Sequence, residues 1–185
     1  MKCNWATSTV ILEKYHDTEW GTPVHNDQLL FEHFMLDSFQ AGLSWSTILN
    51  KRDNFRLAFS NFKIEDISGF DENKIKTLMN NQGIIRNRMK IEAAVNNARL
   101  VLQLQKEFGS FNHYIWQFVS HQTIQNTWES IKDIPAISAE SDKMSADLKK
   151  RGFKFTGSTI CYAFMQATGM INDHLISCFR HSELK

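Results

Sequence analysis

The stretch NNQGIIRNRMK, residues 80–90, decides the fold. Asn80, Asn81 and Gly83 break a short helical pattern over 71–79. Arg86 then opens a long helix that reaches Phe108, with Ile91, Val95, Ala98 and Leu102 as its apolar stripe. Gly109 stops that helix. Two helices joined by a tight, glycine-containing turn form a helix-hairpin-helix, expected over about 71–107. Ile84 and Ile85 pack such a turn, and Gly83, Arg86, Arg88 and Lys90 are candidates for holding a nucleic-acid phosphate. An αα-turn with a solvated basic face fits the same residues.

Helical periodicity continues on both sides. Asp27–Gln40 carries Leu30, Phe31, Phe34 and Met35 behind an Asn26 N-cap, and 44–59 continues the pattern. Further helices are expected over 110–119, 142–151 and 157–170, whereas 120–141 reads as turns around Pro135. No alternating strand pattern of any length occurs. The expected class is all-α, with residues 1–185 as one unit.

Composition narrows the function. A formal charge of +1 excludes a polycation, so any nucleic-acid contact rests on local patches. No apolar run approaches the ~20 residues that span a bilayer, and no membrane role is expected. Three cysteines are too few for a disulfide scaffold, which favours a reducing interior. Two of them have histidine companions. His174 and Cys178 are spaced by one helical turn near the C-terminus, and Cys3 and His16 are the Cys and His of the first twenty residues. Together they make a Cys-His-His-Cys set, which would close a tetrahedral, structural zinc site. Ordinary thiols and satisfied histidines fit the same spacing.

In LDSFQAGLSW (36–45), Asp37 falls on the apolar side of its helix, beside Leu30 and Phe34. A carboxylate there is costly unless it is paired or functional. Gly42 and Leu43 then form a break suited to a wedge in a base stack, or simply to a helix–helix turn.

YHDTEWG (15–21), QAGLSW (40–45), GIIRNRMKI (83–91), KKRGFKFTGSTICYAFMQATG (149–169) and NDH (172–174) occur in one order across nearly the whole chain. These motifs resemble the bacterial 3-methyladenine DNA glycosylase I family, of the helix-hairpin-helix superfamily. The resemblance implies a compact glycosylase-like fold whose ends, 1–20 and 170–180, are joined by zinc on Cys3, His16, His174 and Cys178. It implies monofunctional release of 3-methyladenine from double-stranded alkylated DNA by base flipping, by a monomer of the bacterial cytosol. It places Trp5, Tyr15 and Trp45 around the flipped base, Asp37 as the carboxylate that hydrogen-bonds it, and Gly42 and Leu43 in the gap left behind. The family usually has Glu at the position of Asp37, and commonly a second pocket tyrosine at that of Leu12. Those departures leave open a different alkylated base, or binding without catalysis.

Overall fold

Residues 1–185 are described by a computed structural model. Its helices in chain order are α1 (Val10–Thr18), α2 (Asp27–Gln40), α3 (Trp45–Ala58), α4 (Ile64–Ser68), α5 (Glu72–Asn80), α6 (Arg88–Phe108), α7 (Phe111–Trp116), α8 (Ala139–Lys150), α9 (Ser158–Ala167) and α10 (Phe179–Glu183). Two-residue strands β1 (Ile124–Gln125) and β2 (Ile171–Asn172) pair in parallel.

The core is built around α2. Asn26 caps it, its side chain accepting from Leu29 N–H at 3.0 Å. Every residue from Leu30 to Phe39 is buried. The expected one-sided stripe is therefore a helix enclosed all round. Phe34 meets Phe111, Phe153 and Phe164 edge-on, with centroids 5.5–6.2 Å apart. Truncating such a ring costs ~3–5 kcal/mol.

Enclosure leaves residues 30–39 of α2 no solvent face, so each polar side chain there must find an internal partner. Glu32 takes Arg52 at 2.6 Å and Arg56 at 2.8 Å. The Ser38 hydroxyl donates to Phe34 O at 2.8 Å. Asp37 Oδ2 and His33 Nδ1 have no partner.

The hairpin forms between α5 and α6. Asn81 Oδ1 accepts from Gly83 N–H at 2.8 Å, and Lys51 Nζ donates to Gln82 O at 3.1 Å. A Cβ at Gly83 would come within 3.0 Å of the Asn54 and Asn81 side chains, which is why glycine stands there.

One expectation is corrected. His174 and Cys178 are not on a helix: β2 leads into a turn closed by Cys178 N–H donating to Leu175 O at 2.7 Å, and α10 starts only at Phe179. Spacing by four brings side chains together in a turn as well as in a helix.

Candidate active site

A cavity of about 390 Å³ opens beside the C-terminal end of α2. One side is aromatic: Trp5 from a short 3₁₀ turn, Tyr15 from α1, Trp20, and Trp45, the first residue of α3. The other side is α9, through Tyr162, Ala163 and Gln166. Ile131, Ile134 and Pro135, from the segment between β1 and α8, complete the wall. Asp37 and Gln40 line the cavity from α2. Leu12 is not among the lining residues; it packs on a small cluster formed by Cys3, Tyr15, Trp20 and Cys178.

Asp37 is 3% exposed. Burial pushes its carboxyl well above the usual carboxylate range, and no cation offsets that. Asp37 thus presents to the cavity a carboxyl whose Oδ2 has no hydrogen-bond partner. Trp45 Nε1–H is also buried without a partner. Tyr15 and Trp45 tilt together, centroids 5.4 Å apart. Burial raises the Tyr15 phenol too, so Tyr15 is a neutral face at physiological pH.

Two buried networks steady these walls, and neither was anticipated from sequence. Arg52 of α3 joins Glu19, after α1, to Glu32 of α2. Asp173 is 1% exposed and accepts four hydrogen bonds: from Asn126 and Trp128 on Oδ1, and from the cavity residues Tyr162 and Gln166 on Oδ2, all within 2.6–2.7 Å. The signal was present in the motif NDH, whose aspartate immediately precedes a ligand-type histidine.

Beyond Asp173 the chain ends meet. Cys3, His16, His174 and Cys178 are all buried, with their ligand atoms within 4.8 Å of one another. The sulfur–nitrogen separations are 3.7 Å (Cys3–His174), 3.6 Å (Cys178–His174) and 3.4 Å (Cys178–His16). A tetrahedron with metal–sulfur near ~2.3 Å and metal–nitrogen near ~2.05 Å has S···N edges of about 3.6 Å. The remaining ring nitrogens are engaged as metal-bound histidines require. His174 Nε2 is 3.0 Å from Trp20 O, and His16 Nδ1 is 2.8 Å from Asp17 Oδ1. Those acceptors fix the tautomers, so Nδ1 of His174 and Nε2 of His16 present lone pairs inward. Burial lowers His174 to about 4 and lowers His16, which keeps both neutral; it raises the Cys3 thiol to about 12. The residues fit a metal ion.

At the mouth, Gln40–Leu43 is a type II turn. Leu43 N–H donates to Gln40 O at 2.6 Å, and Gly42 has φ +81°, which the turn requires. Leu43 stands exposed at its tip. In the hairpin, Arg86 is exposed and makes no ion pair, and the N–H groups of Ile85 and Arg86 have no partner within the chain. Arg88 lies between Glu72 and Glu92, 2.7 Å from each. Lys90 does not face outward with them: it is 7% exposed, and its ammonium donates to Phe39 O and Ala41 O.

Fold and cavity together define a class: an all-α helix-hairpin-helix protein of the DNA-glycosylase kind, with an aromatic-walled cavity beside the exposed Gln40–Leu43 turn. The methyladenine glycosylase family profile matches residues 5–181. DNA-3-methyladenine glycosylase 1 of Escherichia coli K12 is 42% identical over 177 residues, covering 96% of this chain and 95% of that protein. A crystal structure of a 3-methyladenine DNA glycosylase I superposes with a TM-score of 0.94 at 43% identity, covering 97% and 98% of the two chains. A related glycosylase solved in complex with 3-methyladenine superposes at 0.93 with 32% identity, covering 96% of each. The chain belongs to the methyladenine glycosylase family.

Proposed function

We propose that this protein hydrolyses the N-glycosidic bond of 3-methyladenine in DNA. The observation that carries the reading is the unpaired Asp37 carboxyl at the end of an aromatic chamber. The enclosed acid needs a guest that brings positive charge and an N–H donor. A 3-methylated adenine brings both, and its cationic ring gains ~0.5–2 kcal/mol over an aromatic face such as Tyr15 or Trp45. The cation favours ionisation of Asp37, the proton leaving to solvent, and the carboxylate then accepts a charge-assisted hydrogen bond from the base edge. The methylated base departs neutral while water attacks an oxocarbenium-like sugar, so no strong general base is required. No lysine lines the cavity, which supports base release without strand cleavage.

The base reaches the chamber by flipping out of the duplex, and Leu43 on its Gly42 turn occupies the vacated space. Arg86 and the free hairpin N–H groups hold phosphate. The Cys₂His₂ set holds zinc, which fastens the ends structurally: four protein ligands leave no open position for water. Tyr15 neighbours His16, so the fastener also sets a pocket wall. The protein acts as a monomer in the cytosol, where its thiols stay reduced.

The test is incubation with a methylated duplex, followed by chromatography of released bases and alkali treatment. Free 3-methyladenine and alkali-labile abasic sites are expected. Excess enzyme that binds the duplex but makes no abasic sites is a damage-binding protein without catalysis. Release of another base instead would move the assignment of substrate.

A further inference from the structure

The geometry points to Lys90 as a positioning residue that locks the wedge turn, rather than as a contact to DNA. The inference rests on the glycosylase reading and assigns a role inside it. An ammonium has three donors. Lys90 directs one to Phe39 O at 2.8 Å and one to Ala41 O at 2.7 Å, and it is buried. Phe39 lies in the last turn of α2, where carbonyls have no intrahelical donor. Ala41 O belongs to the central peptide of the Gln40–Leu43 turn, with Ala41 at φ −44°, ψ 114°.

Types I and II differ by rotation of that central peptide through about half a turn. In type II the Ala41 carbonyl meets Lys90; in type I it would turn away. Lys90 thus selects one of two states of the turn that carries Leu43, and it does so from the first turn of α6. The other end of the contact is the helix that begins directly after Arg86 and the free hairpin N–H groups. Seating of phosphate on the hairpin and aim of the wedge are therefore one rigid unit. Asp37, one turn earlier on α2, shares the anchored helix end.

The test compares the native protein with Lys90→Met and Gly42→Ala. Four quantities are measured: affinity for free 3-methyladenine, the salt dependence of duplex binding, and single-turnover excision of the lesion opposite thymine and opposite an abasic site. Native excision is the control, and its absence would refute the glycosylase reading without bearing on Lys90. For Lys90→Met, free-base affinity stays within about twofold of native, and the slope of log K against log salt is unchanged. Excision from the paired site falls on the order of tenfold to a hundredfold, as for misplaced groups distant from the chemistry. The loss shrinks opposite the abasic site, where less stacking and pairing must be broken. A slope shallower by about 0.9 with native single-turnover excision would make Lys90 a phosphate contact and overturn the proposal. So would equal losses on both duplexes. Gly42→Ala meets no atom within 4 Å and strains only the turn, so it tests the wedge geometry even if Lys90→Met does not fold. It should show the same paired-versus-abasic asymmetry, and native excision from the paired site by this variant would sink the role of the turn.

Discussion

Asp37→Asn removes one ionisable proton site and keeps the shape of the side chain. In the native protein the buried carboxyl titrates well above its ordinary range, whereas in the unfolded chain it titrates near 3.8. The sign follows from linkage. Above the unfolded value the unfolded chain has released this proton and the folded one still holds it. Folding therefore loses about 1.4 kcal/mol for each pH unit climbed, until the folded value is reached. Asparagine has no such dependence. The variant should gain on the native protein by roughly 3–6 °C in Tm per pH unit across that window, taking ~2–4 °C per kcal/mol for a chain of this size. Its excision rate should fall, because the amide cannot supply a charged acceptor. A hydrogen bond to a charged group contributes ~1.5–3 kcal/mol, or roughly 10- to 150-fold in rate. Thermal melts at pH 5, 6 and 7, paired with single-turnover excision at each pH, measure both. A variant less stable than native by the same amount at pH 5, 6 and 7 would mean that Asp37 is ionised and partnered, with its proton lost in both states, and the argument for an acid held neutral would fail.

Asp37→Glu extends the carboxyl by one methylene toward the guest and should raise single-turnover excision of 3-methyladenine; an unchanged or lower rate counts against a shortened reach. Cys178→Ser should release zinc, measured by atomic absorption. It should lower Tm by about 8–16 °C if the native site is filled a thousandfold above its Kd, with activity lost only as the fold is lost. Asp173→Asn leaves one acceptor oxygen for four donors, and its own N–H₂ faces two of them. A loss of ~3 kcal/mol or more is expected, with weaker binding of free base because Tyr162 and Gln166 lose their anchor. Arg86→Ala should weaken duplex binding at every sequence and flatten the salt slope by about 0.9, leaving excision at saturating enzyme unchanged.

How legible each part was depends on how local its cause is. Caps are local: Asn26, Ser44, Asp71 and Ser110 each accept a backbone N–H at the start of the helix they precede, and each stands in the sequence as a readable stop or start. Asp37 was legible as an acid out of place because the helical period put it beside Leu30 and Phe34. The four ligand-type residues were legible by type, although the turn that joins His174 to Cys178 was not. α4 is too short to show a period, and α1 hides because its inward face includes His16 as well as Tyr15. The cavity wall at Ile131–Pro135 comes from a segment with no periodicity. The burial of Lys90 is not legible in the sequence, because lysine is ordinarily a surface residue; it follows from the carbonyls of Phe39 and Ala41, far away along the chain, that its ammonium meets.

The meeting of Cys3 with Cys178 closes the chain into a ring. Met1 O even accepts from Phe179 N–H at 3.0 Å. The contact of Cys3 with Cys178 spans nearly the longest stretch of sequence in the fold, so it becomes possible only late in synthesis, once residue 178 has been added. Until residue 178 exists, Cys3 and His16, beside Trp5 and Tyr15, lack the last member of their cluster, and Tyr162 and Gln166 gain their anchor, Asp173, only five residues earlier. A growing or truncated chain can therefore fold its α2-centred core while its base chamber stays unfinished. Competence for base recognition therefore waits on residues 173–178, and segments held this close suit circular permutation, with new ends opened in exposed turns far from Cys3 and Cys178.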